Sequence, residues 1–186
     1  MKLILDAART IVDESGVDSA TTRAIADRAG VAIPSLYRFF ADRDEILDAV
    51  LEGMLSDLDA HVEQAERSFA GGTIEEFVRL EVEVHAAYYE EHPGYVKLWF
   101  GGRISPPVVD IVRARNQVLA RRTRQALITA GLIAQTTPEV VFDLLVEFGD
   151  GALDMAFRQD QSANREIIET AITALTAFAE RWAPTP

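Results

Sequence analysis

The chain has 186 residues, 48% of them hydrophobic, no cysteine, and a formal net charge of -12. That length and apolar content suffice for a buried core, while the absent cysteines exclude disulfides, thiol catalysis and cysteine-ligated zinc. The excess negative charge argues against indiscriminate binding to nucleic acid or anionic membrane, and no run approaches eighteen uninterrupted apolar residues, so no membrane span is expected and a cytoplasmic location is.

Apolar spacing is helical nearly throughout, without sustained period-two alternation, and predicts an all-α chain of about nine helices. The first helix places Ile4, Ala8, Ile11 and Val12 on one face and ends near Gly16. Asp6 and Arg9 interrupt it too early for a secretory segment. Two short helices follow, separated by Gly30. A long helix opens at "DRDE", where Asp42 can cap and Glu45 stands three residues on. Its stripe runs from Ile46 through Leu51 and Leu58 to Ala65. "FAGGT" breaks the chain, and Thr73 with Glu76 repeats the capping pattern to open a helix that reaches His92. An aromatic segment, "YVKLWF", follows Pro93-Gly94. Ser105 with Pro106 starts the next helix, Thr137 with Pro138 the eighth, and Asn164 the last, which lines up Ile168, Ala171, Ile172, Leu175, Phe178 and Trp182.

The pair around Gly30 carries the most information. Helices that cross tightly need a small residue at closest approach, a turn residue tolerant of positive φ, and apolar residues that clamp the pair. Ala26 and Gly30 fill the first two roles; Ile25, Ala29, Val31, Leu36 and Phe39 fall at clamp positions. A helix-turn-helix of this kind enters a major groove by the start of its second helix, here Ala32, Ile33, Pro34 and Ser35. Thr21 and Thr22 open the preceding helix, whose free amides suit a phosphate. Arg23 can reach a guanine edge, and Tyr37, Arg38 and Arg43 flank the second helix where phosphates would lie. The competing reading is two short core helices with solvated arginines. Residues 21–45 hold four arginines and four acids, whereas residues 46–186 hold 12 basic and 22 acidic residues, so the excess negative charge lies outside this stretch.

The run "TTRAIADRAGVAIPSLYRFFADRDEIL" resembles the DNA-binding domain of the TetR family of transcriptional repressors, with its Ala-Gly-Val turn, its Leu-Tyr followed by an aromatic pair, and a basic residue opening the long helix. The resemblance covers about Ile4 to Val50. It implies a helix-turn-helix DNA-binding domain over residues 1–45 and an effector-binding and dimerisation domain over 46–186. It also implies phosphate contacts from Thr22, Tyr37, Arg43 and Arg38, and base reading by Arg23, Ile33, Pro34 and Ser35. Ile33 stands where the family commonly has a polar or basic residue, so apolar contact, as with a thymine methyl, is expected there. Only Lys2 is basic ahead of Arg9, so contacts from a basic N-terminal arm are not expected.

In such repressors the remaining helices bind a small effector and form a homodimer. The fifth helix offers Glu81 and His85 one turn apart, beside Tyr88 and Tyr89; Trp99, Phe100 and Phe142 complete a candidate aromatic cavity for a mostly apolar ligand. Each of these is equally readable as plain core. The eighth helix confines its acids to Asp143, Glu147, Asp150 and Asp154, a stripe expected to be solvated. Gly149, Ala152 and Ala156 there, with Ala171, Leu175 and Phe178 on the last helix, are candidate dimer-interface positions. The arginines Arg113, Arg115, Arg121, Arg122 and Arg124 spread round their helix, as ion pairing and solvation require.

Catalytic signatures are missing. No histidine has a glutamate three residues before it, and neither a His-Glu-x-x-His zinc motif nor a P-loop occurs. "GDGALD" lies inside a helical pattern rather than after a strand. No catalytic residue, metal or cofactor is therefore assigned. The reading is a ligand-responsive, DNA-binding regulator of the repressor type, acting as a homodimer on a palindromic double-stranded DNA operator and released by a small effector. The alternatives are a helical small-molecule binding protein without DNA affinity and a cofactor-free helical enzyme.

Overall fold

The computed structural model describes residues 1–101, 105–158 and 163–184. Among them every regular element is helical: α1 (Lys2–Ser15), α2 (Thr22–Ala29), α3 (Ile33–Leu36), α4 (Arg43–Ser68), α5 (Ile74–Glu91), α6 (Pro93–Trp99), α7 (Pro106–Thr129), α8 (Glu139–Phe157) and α9 (Arg165–Glu180), with a single 3₁₀ turn at Val17–Ser19. The chain forms two compact units, residues 1–58 with 91–109, and 59–90 with 110–186. Helix α4 contributes to both.

Three of the predicted helix starts, those of α4, α5 and α9, are made by the predicted side chains. Glu45 N–H donates to Asp42 Oδ1 at 2.9 Å at the head of α4, and Glu45 returns the contact to the amide of Ala41 rather than of Asp42. At α5 the box is complete: Glu76 N–H donates to Thr73 Oγ1 (3.1 Å) and Thr73 N–H to Glu76 Oε2 (2.8 Å). Asn164 Oδ1 accepts from the amides of Glu166 and Ile167 to open α9. Each satisfies amides that a helix leaves without partners. Helix α8 starts after Pro138 with no side-chain cap.

In the first unit, α1 turns Ile4, Ala8, Ile11 and Val12 inward, and Ile25, Ala26, Leu36 and Phe40 from the following elements are buried with them. Burial of such side chains contributes about 1.5–3 kcal/mol for each large one. Arg28 grips both carboxylate oxygens of Glu14, at 2.7 and 3.0 Å, tying α2 to α1. Helix α6 lies close to α1 at Gly94. The Gly94 amide donates to Asp13 Oδ1 at 2.9 Å, and a Cβ there would stand 2.3 Å from that oxygen and 3.1 Å from Val12 Cγ1.

One clamp position differs from expectation. Phe39 is 52% exposed, whereas Phe40 is 5% exposed. The reason is phase: the chain tightens after Leu36, and Phe40 N–H bonds the Leu36 carbonyl at 3.1 Å, setting residue 40 one turn above Leu36 on the buried side.

In the second unit Phe77 and Ala86 of α5, Leu127 of α7, Phe142 of α8 and Ile168 and Ile172 of α9 form the core. Helix α8 packs along α9. Exposed ion pairs tie α5 to α9, Arg79 to Glu169 at 2.9 Å and Arg165 to Glu83 at 2.5 Å.

Candidate functional site

The first candidate region is the turn between α2 and α3. Gly30 has φ 66° and ψ 30°, the left-handed conformation that favours glycine. Gly30 N–H reaches the Asp27 carbonyl at 3.3 Å and Val31 N–H the Ala26 carbonyl at 3.0 Å, the paired bonds of a Schellman cap. A side chain at Gly30 would meet nothing within 4 Å, so the backbone torsion alone sets the requirement.

The chain emerging from that cap presents its side chains outward. Ile33 is 39% and Tyr37 51% exposed, Pro34 and Arg38 are exposed, and Ser35 is half-buried, while Leu36 anchors the turn from beneath. The helical turn is only four residues long, Ile33–Leu36. Pro34 occupies its start, where a missing amide costs nothing, and the chain tightens beyond Tyr37. Thr21 caps α2 by accepting from Ala24 N–H at 3.1 Å; Thr22 is half-buried and Arg23 exposed on the first turn. Arg43 behaves differently from Arg23 and Arg38. It is half-buried, its Nε donates to the Ala20 carbonyl at 2.8 Å, and a terminal nitrogen donates to the Val17 carbonyl. Its guanidinium therefore braces the approach to α2 from the start of α4.

The second candidate region is a cavity of about 80 Å³ inside the second unit, several times the room one water needs. It is lined by Phe77, Val78, Glu81, Val82 and His85 of α5, Leu119, Thr123 and Leu127 of α7, Leu145, Val146, Gly149, Asp150 and Leu153 of α8, and Leu175 of α9. Of the residues expected there, Glu81 and His85 line it. Tyr88 and Tyr89 are buried nearby on α5, Tyr88 with its ring 5.5 Å from His61 and Tyr89 edge-on to Phe157 at 5.3 Å. Phe142 is buried and lines a separate polar cleft with Arg121 and Arg124. Trp99 and Phe100 belong to the first unit, where Trp99 stacks on Tyr95 at 6.0 Å. The wall is aliphatic rather than aromatic, because helical phase turns the tyrosines into packing and Val78, Val82, Leu119 and Leu127 toward the space.

The polar part of the wall is tightly organised. His85 Nδ1 lies 2.7 Å from the Glu81 carbonyl, which can only accept, so Nδ1 carries the proton and Nε2 is a bare acceptor without a partner. Burial, and then the charge of Arg115, push the His85 pKa down to about 4. Burial, and then the charge of Glu66, push Glu81 up to about 8; its carboxyl shares a hydrogen bond with Glu66, and its Oε1 has no partner. Glu66 in turn pairs with Arg122, which also reaches Glu63 at 3.0 Å. Asp150 accepts from Asn116 Nδ2 at 2.7 Å, and burial raises its pKa. Of the acidic stripe expected to be solvated, Asp143 and Glu147 are exposed, Asp154 pairs with Arg158, and Asp150 instead lines the cavity. Among the described residues no cluster of three or more metal-ligating side chains is placed to hold a metal, and no helix is long and apolar enough to cross a membrane.

The third region is the outer face of α8. Val140 (56% exposed), Leu144 (39%), Phe148 (50%) and Met155 (56%) form one apolar stripe. Phe148 meets Phe178 of α9 edge-on at 5.6 Å. Of the positions expected at a subunit interface, Ala156, Ala171 and Leu175 are buried within the chain itself, Gly149 lines the cavity, and Ala152 and Phe178 are half-buried. The exposed set sits at intervals of four, four and seven residues, a helical repeat legible in the sequence but overshadowed by the small residues beside it.

A capped turn presenting a short helix, followed by a helical body with an internal cavity, defines a helix-turn-helix protein with a ligand-binding type of domain. Residues 4–50 match the model for bacterial regulatory proteins of the tetR family, and residues 73–178 match that for the tetracyclin repressor-like C-terminal domain. The chain belongs to the TetR family.

Relatives agree. It is 40% identical over 78 residues to the class A tetracycline repressor protein from transposon 1721 of Escherichia coli, covering 40% of this chain and 36% of that one. It is 38% identical over 72 residues to the transcriptional repressor KstR of Mycolicibacterium smegmatis, covering 39% of this chain and 34% of the relative. The matched part thus spans about a third of the length of these relatives. A TetR-family transcriptional regulator from Streptomyces coelicolor superposes with a TM-score of 0.68 at 28% identity, over 97% of this chain and 98% of that one. The fatty acid degradation regulator FadR from Bacillus halodurans shares the fold, with a TM-score of 0.72 at 14% identity over 94% and 93% of the two chains.

Proposed function

We propose that this protein is a cytoplasmic, non-catalytic transcriptional repressor that binds a palindromic operator as a homodimer and is released by a small effector. The observation that carries the reading is the exposed face of α3 beyond the Gly30 cap, where Ile33, Pro34 and Tyr37 stand outward with no core role. In a major groove, Arg23, Ile33, Pro34 and Ser35 read bases, while Thr21, Thr22, Tyr37 and Arg38 meet phosphates. Arg43 adds its charge to the phosphate side while bracing the turn. Residues 1–45 act as the reading domain and 46–186 as the effector and dimer domain.

The partner subunit covers the apolar stripe Val140, Leu144, Phe148 and Met155, with Ala152 and Phe178 at its edge. Family membership supports this, and so does the cost of leaving four large apolar side chains in water. The two α3 helices then address half-sites about one helical turn or slightly more apart. Helix α4 is the coupling element. One end carries Arg43 on the backbone before α2, and the other carries Glu63 and Glu66 to the polar rim of the cavity. A ligand that rearranges Glu81 acts on Glu66 and hence on α4. A coupling of about 1–3 kcal/mol changes operator occupancy substantially.

The test is a mobility-shift titration on DNA flanking the gene that encodes this chain, at two salt concentrations. The expected result is a dimer-sized complex that is salt-sensitive and outlasts a random-sequence competitor. Equal affinity for both DNAs, or none for either, refutes the reading.

A further inference from the structure

The cavity wall is mismatched in one respect. It presents two buried hydrogen-bond acceptors without donors, Glu81 Oε1 and His85 Nε2, and a second carboxyl at Asp150, yet no lysine or arginine is among its lining residues. An orphaned buried polar atom is costly, so a guest that donates to both gains more than one that fills space alone. A carboxylate brings only acceptors and a negative charge to a wall already rich in carboxyls. An alcohol brings one donor for two acceptors. An ammonium brings three donors and a positive charge.

We propose that the effector of this cavity is a small apolar amine, its ammonium donating to Glu81 and His85 and its hydrocarbon lying along Val78, Val82, Leu119 and Leu127. This inference rests on the ligand-responsive reading above and adds the chemical class of the ligand. Burial holds Glu81 protonated up to about pH 8. The charged groups around it are Glu66 and Glu63 on α4, Arg115 and Arg122 on α7 and Asp150 on α8, with His85 on its own helix and only Leu175 from α9. An arriving ammonium replaces the carboxyl proton: the amine enters as R–NH₃⁺, the Glu81 O–H bond breaks, its proton leaves to buffer, and the ammonium–carboxylate pair remains. Net charge at the buried carboxyl is unchanged, which is what a group shielded from water favours.

The experiment is calorimetric titration of the intact protein with hexylamine, hexanol and hexanoate, three head groups on one chain length. Hexylamine should bind at least about tenfold more tightly than hexanol, and hexanoate should give no measurable binding. Repeating the hexylamine titration in buffers of different ionisation enthalpy should show proton release near pH 7. The affinity should rise with pH by at most about tenfold per unit and level off near pH 8. Glu81→Gln should reduce hexylamine binding at least about tenfold and leave hexanol unchanged. Leu119→Trp, which fills the apolar end and leaves the carboxyl intact, should abolish both; it decides the matter if the Glu81 variant does not fold. Hexanoate binding equal to hexylamine, unaltered hexylamine affinity in either variant, or no amine binding overturns the proposal. None of these titrations contains DNA. A protein that binds its operator but not the amine loses this inference alone, and one that binds the amine but not DNA loses the repressor reading alone.

Discussion

Arg43 occupies a position that the sequence assigns to phosphate contact, and the structure gives it an internal task as well. Its Nε and a terminal nitrogen donate to the carbonyls of Ala20 and Val17, and the side chain is 26% exposed. Truncation to alanine removes two charge-assisted hydrogen bonds, each worth about 1.5–3 kcal/mol when fully shielded. Water reaches part of the site and can replace one of them, so the expected loss is about 2–4 kcal/mol. The neighbouring Asp44 adds little, since its carboxylate lies 3.8 Å away and is 83% exposed. Urea unfolding of Arg43→Ala should therefore show a lower midpoint at unchanged slope, and DNA affinity should fall on specific and random sequences alike. Arg43→Lys keeps the charge but cannot hold both carbonyls with one fork, so it should recover random-DNA affinity more fully than stability. A variant with unaltered unfolding midpoint and weakened DNA binding would refute the bracing role; one with lowered stability and normal affinity per folded molecule would refute the phosphate role.

Other outcomes follow from the same geometry. Arg23→Ala should relax preference at one base pair, costing about 1–3 kcal/mol on the operator and nothing on random DNA, whereas Arg38→Ala should weaken both and reduce the salt slope by about 1 in a salt-titrated shift assay. Equal losses for Arg23→Ala on both DNAs would remove it from the base-reading set. Phe148→Glu, placed at the centre of the exposed α8 stripe, should convert the dimer to a monomer in analytical ultracentrifugation without lowering the monomer's own melting temperature; an unchanged sedimentation coefficient would exclude that face. The buried pair sets opposite pH trends. Glu81, held at about 8, keeps a proton that the unfolded chain gives up above the ordinary carboxylate range, so its contribution declines from about pH 5 to 8 and is flat above. His85, held at about 4, refuses a proton that the unfolded chain accepts below 6.5, so its contribution declines as pH falls from 6.5 to 4. Between about pH 5 and 6.5 the two trends offset each other, so the net fall is expected from about pH 6.5 to 8. Glu81→Gln should remove that fall from a chemical-denaturation profile; a wild-type profile that is flat from about pH 6.5 to 8 would contradict the buried, protonated carboxyl.

The helical class, the helix starts at Asp42, Thr73 and Asn164, and the turn at Gly30 were all readable from the chain, because each depends on contacts within a few residues. Capping boxes close over three positions, and a left-handed glycine declares itself where two apolar runs meet. The exposed face of α3 followed from that turn. What local spacing could not settle was the direction each helix faces once several are packed. Phe39 and Phe40 are adjacent, and only the tightening after Leu36 decides that Phe40 goes in. Glu81 and His85 were visible as neighbours one turn apart, but their cavity is completed by Leu119, Asp150 and Leu175 from three other helices, and the tyrosines beside them are spent on packing. The same holds for α8: its small residues suggested an interface, yet packing along α9 consumes Ala156 and leaves Val140, Leu144, Phe148 and Met155 facing out. Sequence thus determined where helices begin, turn and end through short-range hydrogen bonding. Burial of one helical face against another, a long-range event, decided which of the remaining side chains became wall, brace or open surface.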